Sequence, residues 1–177
     1  MSVEIIRVLQ QYRHDLMNRL QIVQGYMSMG KTEIAEKKLN EVLAYYNEER
    51  RLMGLNMPAF MLWILEFDSS FDNFRLKYTI HGEYKNVHIS ESILIERCQD
   101  IMADCSRELD LQVLYEVKLV LSKVANMSEI KVELFIHSDS DIDLQVKEHM
   151  IDRYVNKEID IDKTANGIRF CFTVPCQ

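Results

Sequence analysis

The sequence predicts an α+β protein. It reads as an N-terminal antiparallel helical hairpin that forms a four-helix bundle by dimerisation, followed by a C-terminal α/β sandwich. Three observations lead there. From Val3 to Met53 the apolar residues recur at helical spacing, without a proline. From Arg75 onward, short runs alternate with a period of two and are separated by helical stretches. The length of 177 residues, with 47% hydrophobic and 28% charged, suits a small helical module joined to a compact α/β module. The expected division is 1–56 and 57–177.

The first predicted helix runs from Val3 to about Met29. Ile6, Leu9, Leu16, Leu20, Val23 and Met27 share one stripe, and Arg13 falls in it. Gly30 ends this helix, and Thr32 is the expected cap of a second from about Glu33 to Met53. Ala35, Leu39, Val42, Tyr46 and Met53 form its apolar face, and Gly54 with Asn56-Met57-Pro58 stops it. At 1.5 Å rise per residue each helix is about 30–40 Å long. A pair of helices alone leaves much apolar surface wet, and a second copy covers it, so a homodimer is expected.

The second module begins with an apolar, aromatic helix, Pro58 to Phe74, whose aromatic spacing fits packing between the modules better than a nucleic-acid platform. A strand follows over Arg75–His81. Ser90-Glu91-Ser92 caps a helix running to about Arg107. Val113–Leu121 and Ile130–His137 fit paired strands, and Leu144–Tyr154 a further helix. Glu158–Asp162 and Ile168–Val174 form a hairpin around Ala165-Asn166-Gly167, where Asn-Gly supplies the positive φ of a tight turn. The sheet is expected to be largely antiparallel.

Composition excludes several functions. With 28 acidic against 21 basic side chains and a net charge of −7, neither nucleic acid nor an anionic membrane is the expected partner. No run of about 18 apolar residues is present to span a bilayer. Met1 to Asp15 lacks the basic start, apolar middle and small-residue cleavage site of a secretory signal, so the expected location is cytoplasmic. The five glycines, at 25, 30, 54, 82 and 167, are too scattered to write a phosphate-binding loop or a dinucleotide fingerprint. Cys98, Cys105, Cys171 and Cys176 contain no C-x-x-C and read as buried free thiols.

Chemistry concentrates on the first helix. At about 100° per residue, His14 lies about 140° from the centre of the apolar stripe and projects away from the seam. Asn18 follows one turn later on the same face, with Gln21 and Gly25 close by. A glycine inside a helix costs about 1 kcal/mol and leaves room for something to approach. Neutral imidazole is a competent nucleophile near pH 7 and forms a reactive phosphohistidine on attacking a phosphoryl group. Asp15 can orient the ring, Asn18 can hydrogen-bond a phosphoryl oxygen, and Arg13 and Arg19 can offset its charge. A plain surface histidine, an Asp15–Arg19 ion pair and an Arg13 on the dimer seam are the alternatives.

Arg13-His14-Asp15-Leu16-Met17-Asn18-Arg19-Leu20-Gln21-Ile22-Val23-Gln24-Gly25-Tyr26 resembles the phosphoacceptor helix of sensor histidine kinases, whose box runs R-H-D-x-x-N-x-L-Q-x-I-x-G. More closely, the whole chain resembles the sporulation initiation phosphotransferase B family of Bacillus-type bacteria. The resemblance covers the hairpin by motif and the second module by order of elements. It implies a phosphorelay phosphotransferase in which His14 takes a phosphoryl group from the aspartate of one response regulator and passes it to a second. It carries the catalytic roles onto His14, Asp15 and Asn18, with Arg13, Arg19, Met17, Gln21 and Gly25 as supporting contacts. No cofactor would be bound by this chain, and the partner regulator would bring Mg2+.

The resemblance also implies that the second module descends from a histidine kinase ATP-binding domain. Such a domain carries an N-x-x-x-N helix for magnesium and phosphates. Here Asp100 and Asp104 stand at that spacing, and the glycine boxes are absent, so no ATP binding is expected. The alternatives are a sensor histidine kinase core that autophosphorylates from ATP, and a non-catalytic dimeric docking scaffold. Asp139-Ser140-Asp141-Ile142-Asp143 opens like a calcium loop but has Leu144 and Met150 where Gly and Glu are required. His81, His88, His137 and His149 show no metal-ligand spacing.

Overall fold

The computed structural model describes residues 2–82, 84, 88–124, 128–138, 153–154, 157–164 and 167–176. The chain divides into two compact units, Met1–Arg51 and Leu52–Gln177.

The first unit is built from α1 (Ser2–Ser28) and most of α2 (Thr32–Met53). Gly30 closes α1 in the left-handed region, at φ +71°. Its N–H donates to the Met27 carbonyl (3.0 Å) and that of Lys31 to the Tyr26 carbonyl (3.0 Å), the paired bonds that finish a helix around a C-terminal glycine. The Lys31 carbonyl then accepts from Ala35 (3.0 Å), so α2 is capped at Lys31 and begins at Thr32, one residue earlier than expected. The two helices run antiparallel, because Tyr12 reaches Glu49 and Arg19 reaches Tyr45 across the hairpin.

Val23, Ala35 and Val42 are buried between the helices. The predicted apolar stripe is split: Leu16 and Val23 turn to α2, whereas Ile6, Leu9, Leu20 and Met27 are exposed, Leu9 and Met27 to about three-fifths. On α2, Leu39 and Met53 are exposed as well. A pair of helices shares only one mutual face. Tyr12, half-buried Leu16 and Val23 occupy it, and the rest of the stripe stays outside.

The second unit opens with α3 (Pro58–Ser70), which has proline in its first turn where the missing N–H does no harm. The Phe60 N–H donates to the Glu91 carboxylate (2.8 Å). The helix ends at Phe71 rather than Phe74, since Phe74 is already the first residue of β1 (Phe74–His81). The crossover helix α4 (Glu91–Glu108) follows. Ser90 stands at its cap through its carbonyl, which accepts from Leu94 (3.1 Å), while its side chain makes no capping bond. β2 (Tyr115–Lys123) starts two residues later than expected because Asp110 holds a turn, accepting from the N–H groups of Gln112 and Val113. β3 (Glu129–His137) matches its expected span closely.

β4 (Asp160–Thr164) and β5 (Gly167–Pro175) pair as a hairpin, in register from Thr164 opposite Gly167. β4 begins after Glu158, which has φ +55° and so cannot continue a strand. Its expected span, Glu158–Asp162, is therefore displaced by two residues. The sheet order is β1-β2-β3-β5-β4. β1 and β2 are parallel, joined through α4, and the remaining pairs are antiparallel.

Strict alternation places Tyr115, Val117, Leu119 and Leu121 of β2, with Ile130, Val132, Leu134 and Ile136 of β3, against the helices. Phe60, Ile64 and Phe67 of α3 and Leu94, Cys98, Ile101, Met102 and Cys105 of α4 meet them. The aromatic run expected between modules packs within this unit, in a chain of ring contacts from Phe60 through Trp63, Phe67, Phe71 and Phe74 to Tyr115. Cys98 and Cys105 are buried free thiols whose pKa burial raises, whereas Cys171 and Cys176 are free but only half-buried. Residues 144–152 of the expected Leu144–Tyr154 helix, the Asp139–Asp143 loop, His149 and the Ala165-Asn166 turn lie outside the described residues. Among the described residues, no helix is long and apolar enough to cross a membrane, and no cluster of metal-ligating side chains is present.

Candidate functional site

The middle of α1 presents His14 to solvent, its side chain 65% exposed. Helical spacing places Asn18 one turn further on, and the two side chains meet: Asn18 Nδ2 lies 3.2 Å from His14 Nδ1 and 3.4 Å from Nε2. Asp15, the next residue, turns back so that Oδ1 is 3.3 Å from the same Nδ1. Nδ1 thus has an acceptor and a donor as neighbours. With its proton on Nδ1, the ring donates to Asp15 and keeps its lone pair on Nε2, at the solvent-exposed face of the helix. Gln11, one turn before Asp15, donates its side-chain N–H groups to both carboxylate oxygens (3.0 and 3.2 Å). Sequence reading passed over Gln11, although its i,i+4 spacing to Asp15 was a legible signal.

The supporting residues divide. Met17, Gln21 and Arg13 are exposed. Gly25 is half-buried, and a Cβ added there would meet no atom within 4 Å, so nothing within the chain requires a glycine. Arg19 lies across the Tyr45 ring, its guanidinium carbon 4.1 Å from the centroid, a cation–π contact that ties α1 to α2. Asp15 turns to Gln11 and His14, and Arg19 to Tyr45, rather than to each other as in the alternative ion pair.

Beneath this face, on the side of α1 turned to α2, Glu49 is buried at 3% exposure and accepts from the Tyr12 hydroxyl (2.9 Å to Oε1, 3.2 Å to Oε2). Burial raises the Glu49 carboxyl above its ordinary pKa, against the lowering effect of the Tyr12 bond. Burial, and then the Glu49 carboxylate, push the Tyr12 phenol well above its usual range. Tyr12 also meets Tyr46 edge-to-face, with centroids 6.1 Å apart.

In the second unit Asp100 and Asp104 share one face of α4, as their spacing predicted, and both are committed within the chain. Asp104, buried, accepts from Tyr154 (2.5 Å), from Arg153 (2.7 and 2.9 Å) and from Arg107. Asp100 pairs with Lys157. Burial, followed by the Asp104 carboxylate, raises the Tyr154 phenol far above its ordinary pKa. A magnesium ion needs several open oxygen ligands with room for its waters. A buried carboxylate saturated by two guanidinium groups and a phenol does not offer that, so these residues do not fit a metal–nucleotide site.

Residues 1–57 match the family model for the sensor kinase SpoOB-type alpha-helical domain. This match lies in the helical unit and covers less than half of the chain. The chain is similar to Sporulation initiation phosphotransferase B of Bacillus subtilis (strain 168), 30% identical over 84 residues that cover 48% of this chain. The match spans 44% of that relative's length, less than half of it. Among solved structures it is similar to the histidine kinase AdeS of Acinetobacter baumannii (10% identity, TM-score 0.48, covering 92% of this chain and 97% of that one). It is also similar to the catalytic domain of histidine kinase ThkA (14% identity, TM-score 0.45, 71% of this chain and 92% of that one).

Proposed function

We propose that this protein is a cytoplasmic, dimeric phosphotransferase of a phosphorelay in sporulation initiation. In this reading residues 1–56 dimerise and carry the phosphoacceptor. The observation that carries it is the exposed His14 with Asp15 and Asn18 on its ring, in a helical unit of the SpoOB type. The Nε2 lone pair attacks the phosphorus of an aspartyl phosphate on one response regulator, and the P–O bond to that carboxylate breaks. The phosphorylated ring is cationic, with its Nδ1–H facing the Asp15 carboxylate. The aspartate of a second regulator then attacks the phosphorus, the P–N bond breaks, and His14 returns neutral with its Nδ1 proton retained. Asn18, within reach of both ring nitrogens, is placed to hydrogen-bond a phosphoryl oxygen. Such in-line transfers depend mostly on positioning and charge. An open helix face suits them, with the regulator bringing Mg2+.

The exposed stripe of Ile6, Leu9, Leu20 and Met27 supports dimerisation, since a second copy would bury it as a four-helix bundle. The internal pairing of Asp100 and Asp104, together with the scattered glycines, favours a phosphotransferase that binds no nucleotide over a kinase core. The decisive experiment mixes the purified chain with a phosphorylated regulator and an unphosphorylated second one. Label should pass through His14, and His14→Gln should abolish transfer while the dimer persists. Undiminished transfer by that variant would refute the proposal. Labelled ATP alone should leave His14 unlabelled, and labelling there would establish a kinase instead.

A further inference from the structure

The donor–acceptor conflict at His14 Nδ1 raises the question of what decides the tautomer. A neutral histidine ring carries one proton, and the group bonded to one nitrogen selects which nitrogen remains nucleophilic. Asn18 Nδ2, a donor 3.2 Å from Nδ1 and 3.4 Å from Nε2, favours by its shorter contact a lone pair on Nδ1 and hence the proton on Nε2. Asp15 Oδ1, an acceptor at 3.3 Å, favours the opposite. Asp15 is itself an exposed side chain free to change rotamer, and whether Oδ1 faces the ring depends on what holds it. Gln11 holds both carboxylate oxygens from one turn earlier, at 3.0 and 3.2 Å. Gln11, Asp15 and His14 thus form a chain of side-chain contacts along one exposed face of a single helix.

We propose that Gln11 is a positioning residue for His14: by clasping Asp15 it keeps the ring in the Nδ1–H tautomer and leaves Nε2 as the nucleophile. This inference rests on the reading of His14 as phosphoacceptor, but its own claim concerns the tautomer. Gln11 touches no reacting atom and acts only through Asp15.

The test uses the full chain with histidine ring nitrogens labelled by 15N, His14 being assigned by difference from His14→Gln. At a pH where the ring is neutral, the shifts of the two ring nitrogens report which one bears the proton. Gln11→Leu keeps similar size and good helix propensity while removing both donors. Gln11→Arg keeps N–H groups able to reach Asp15 one turn away. The wild-type ring should be mainly Nδ1–H. Gln11→Leu should move it toward Nε2–H and slow phosphorylation by phosphoramidate about tenfold, the scale of one hydrogen bond to a charged group. Gln11→Arg should restore the wild-type tautomer.

An unchanged tautomer in Gln11→Leu, with circular dichroism showing the helix intact, would overturn the inference and leave His14's role standing. A shifted tautomer in a chain whose His14 never acquires phosphate from a charged regulator would do the reverse, sustaining the Gln11 assignment while refuting the phosphotransfer reading.

Discussion

At His14, two exposed side chains of the same helix, Asp15 and Asn18, converge on a ring that the fold itself does not bury. The arrangement comes from local helix geometry, which is why the proximity of His14, Asp15 and Asn18 was legible from spacing alone. Glu49 of α2, which meets the other side of α1 through Tyr12, behaves otherwise. Glu49 is far in sequence from Tyr12, and nothing in the local pattern marks it as buried. Its native pKa lies above the unfolded one. Such a carboxyl stabilises the fold fully below the unfolded value, and that contribution is lost as pH rises through the native value. At neutral pH its charge therefore opposes folding. Glu49→Gln keeps an acceptor for Tyr12 and removes the charge. We expect it to raise the unfolding midpoint at pH 7.5 by the equivalent of about 1 kcal/mol. The gain should vanish as pH falls to the ordinary carboxylate range near ~4. A lower midpoint at pH 7.5, or a gain independent of pH, would contradict this account.

Element by element, the helices were legible because their apolar period and their glycine and proline stops lie in the local sequence. The errors have local causes too: Asp110 holding a turn before β2, the positive φ of Glu158 before β4, and the early end of α3 at Phe71. Gly25 lies in the interior of α1. Its added Cβ meets nothing and its φ is not in the left-handed region, so Gly25→Ala should stabilise α1 by about 0.5–1 kcal/mol. If the glycine instead leaves room for an approaching regulator, the same variant should transfer phosphate more slowly. Thermal unfolding and the two-regulator assay measure these effects separately. A stabilised variant with unaltered transfer would remove Gly25 from the docking surface.

For the whole molecule, the exposed apolar stripe of α1 is the feature that the isolated chain leaves without an explanation. Leu20 lies within it, 40% exposed. A carboxylate placed there would be buried without a partner if two hairpins pack as a bundle, at a cost of several kcal/mol. Leu20→Asp should therefore convert a dimer to monomer in sedimentation equilibrium at micromolar concentration, while the α/β unit keeps its near-ultraviolet signal. A wild-type monomer, or a variant dimer of unchanged affinity, would show that the stripe serves something else.

By itself the sequence determined the class α+β, the two-helix start, the order of strands and helices, and the face on which His14 sits. All of these follow from periodicity and stop signals within a few residues. Tertiary structure decided what depends on residues far apart in the chain. It set which stripe of α1 meets α2, where Tyr12 and Glu49 pair, how Arg19 covers Tyr45, and how Asp104 is filled by Arg153 and Tyr154. The physical reason is that a helix offers several apolar or mixed faces of similar hydrophobicity. Only packing against a particular partner determines which of them leaves water.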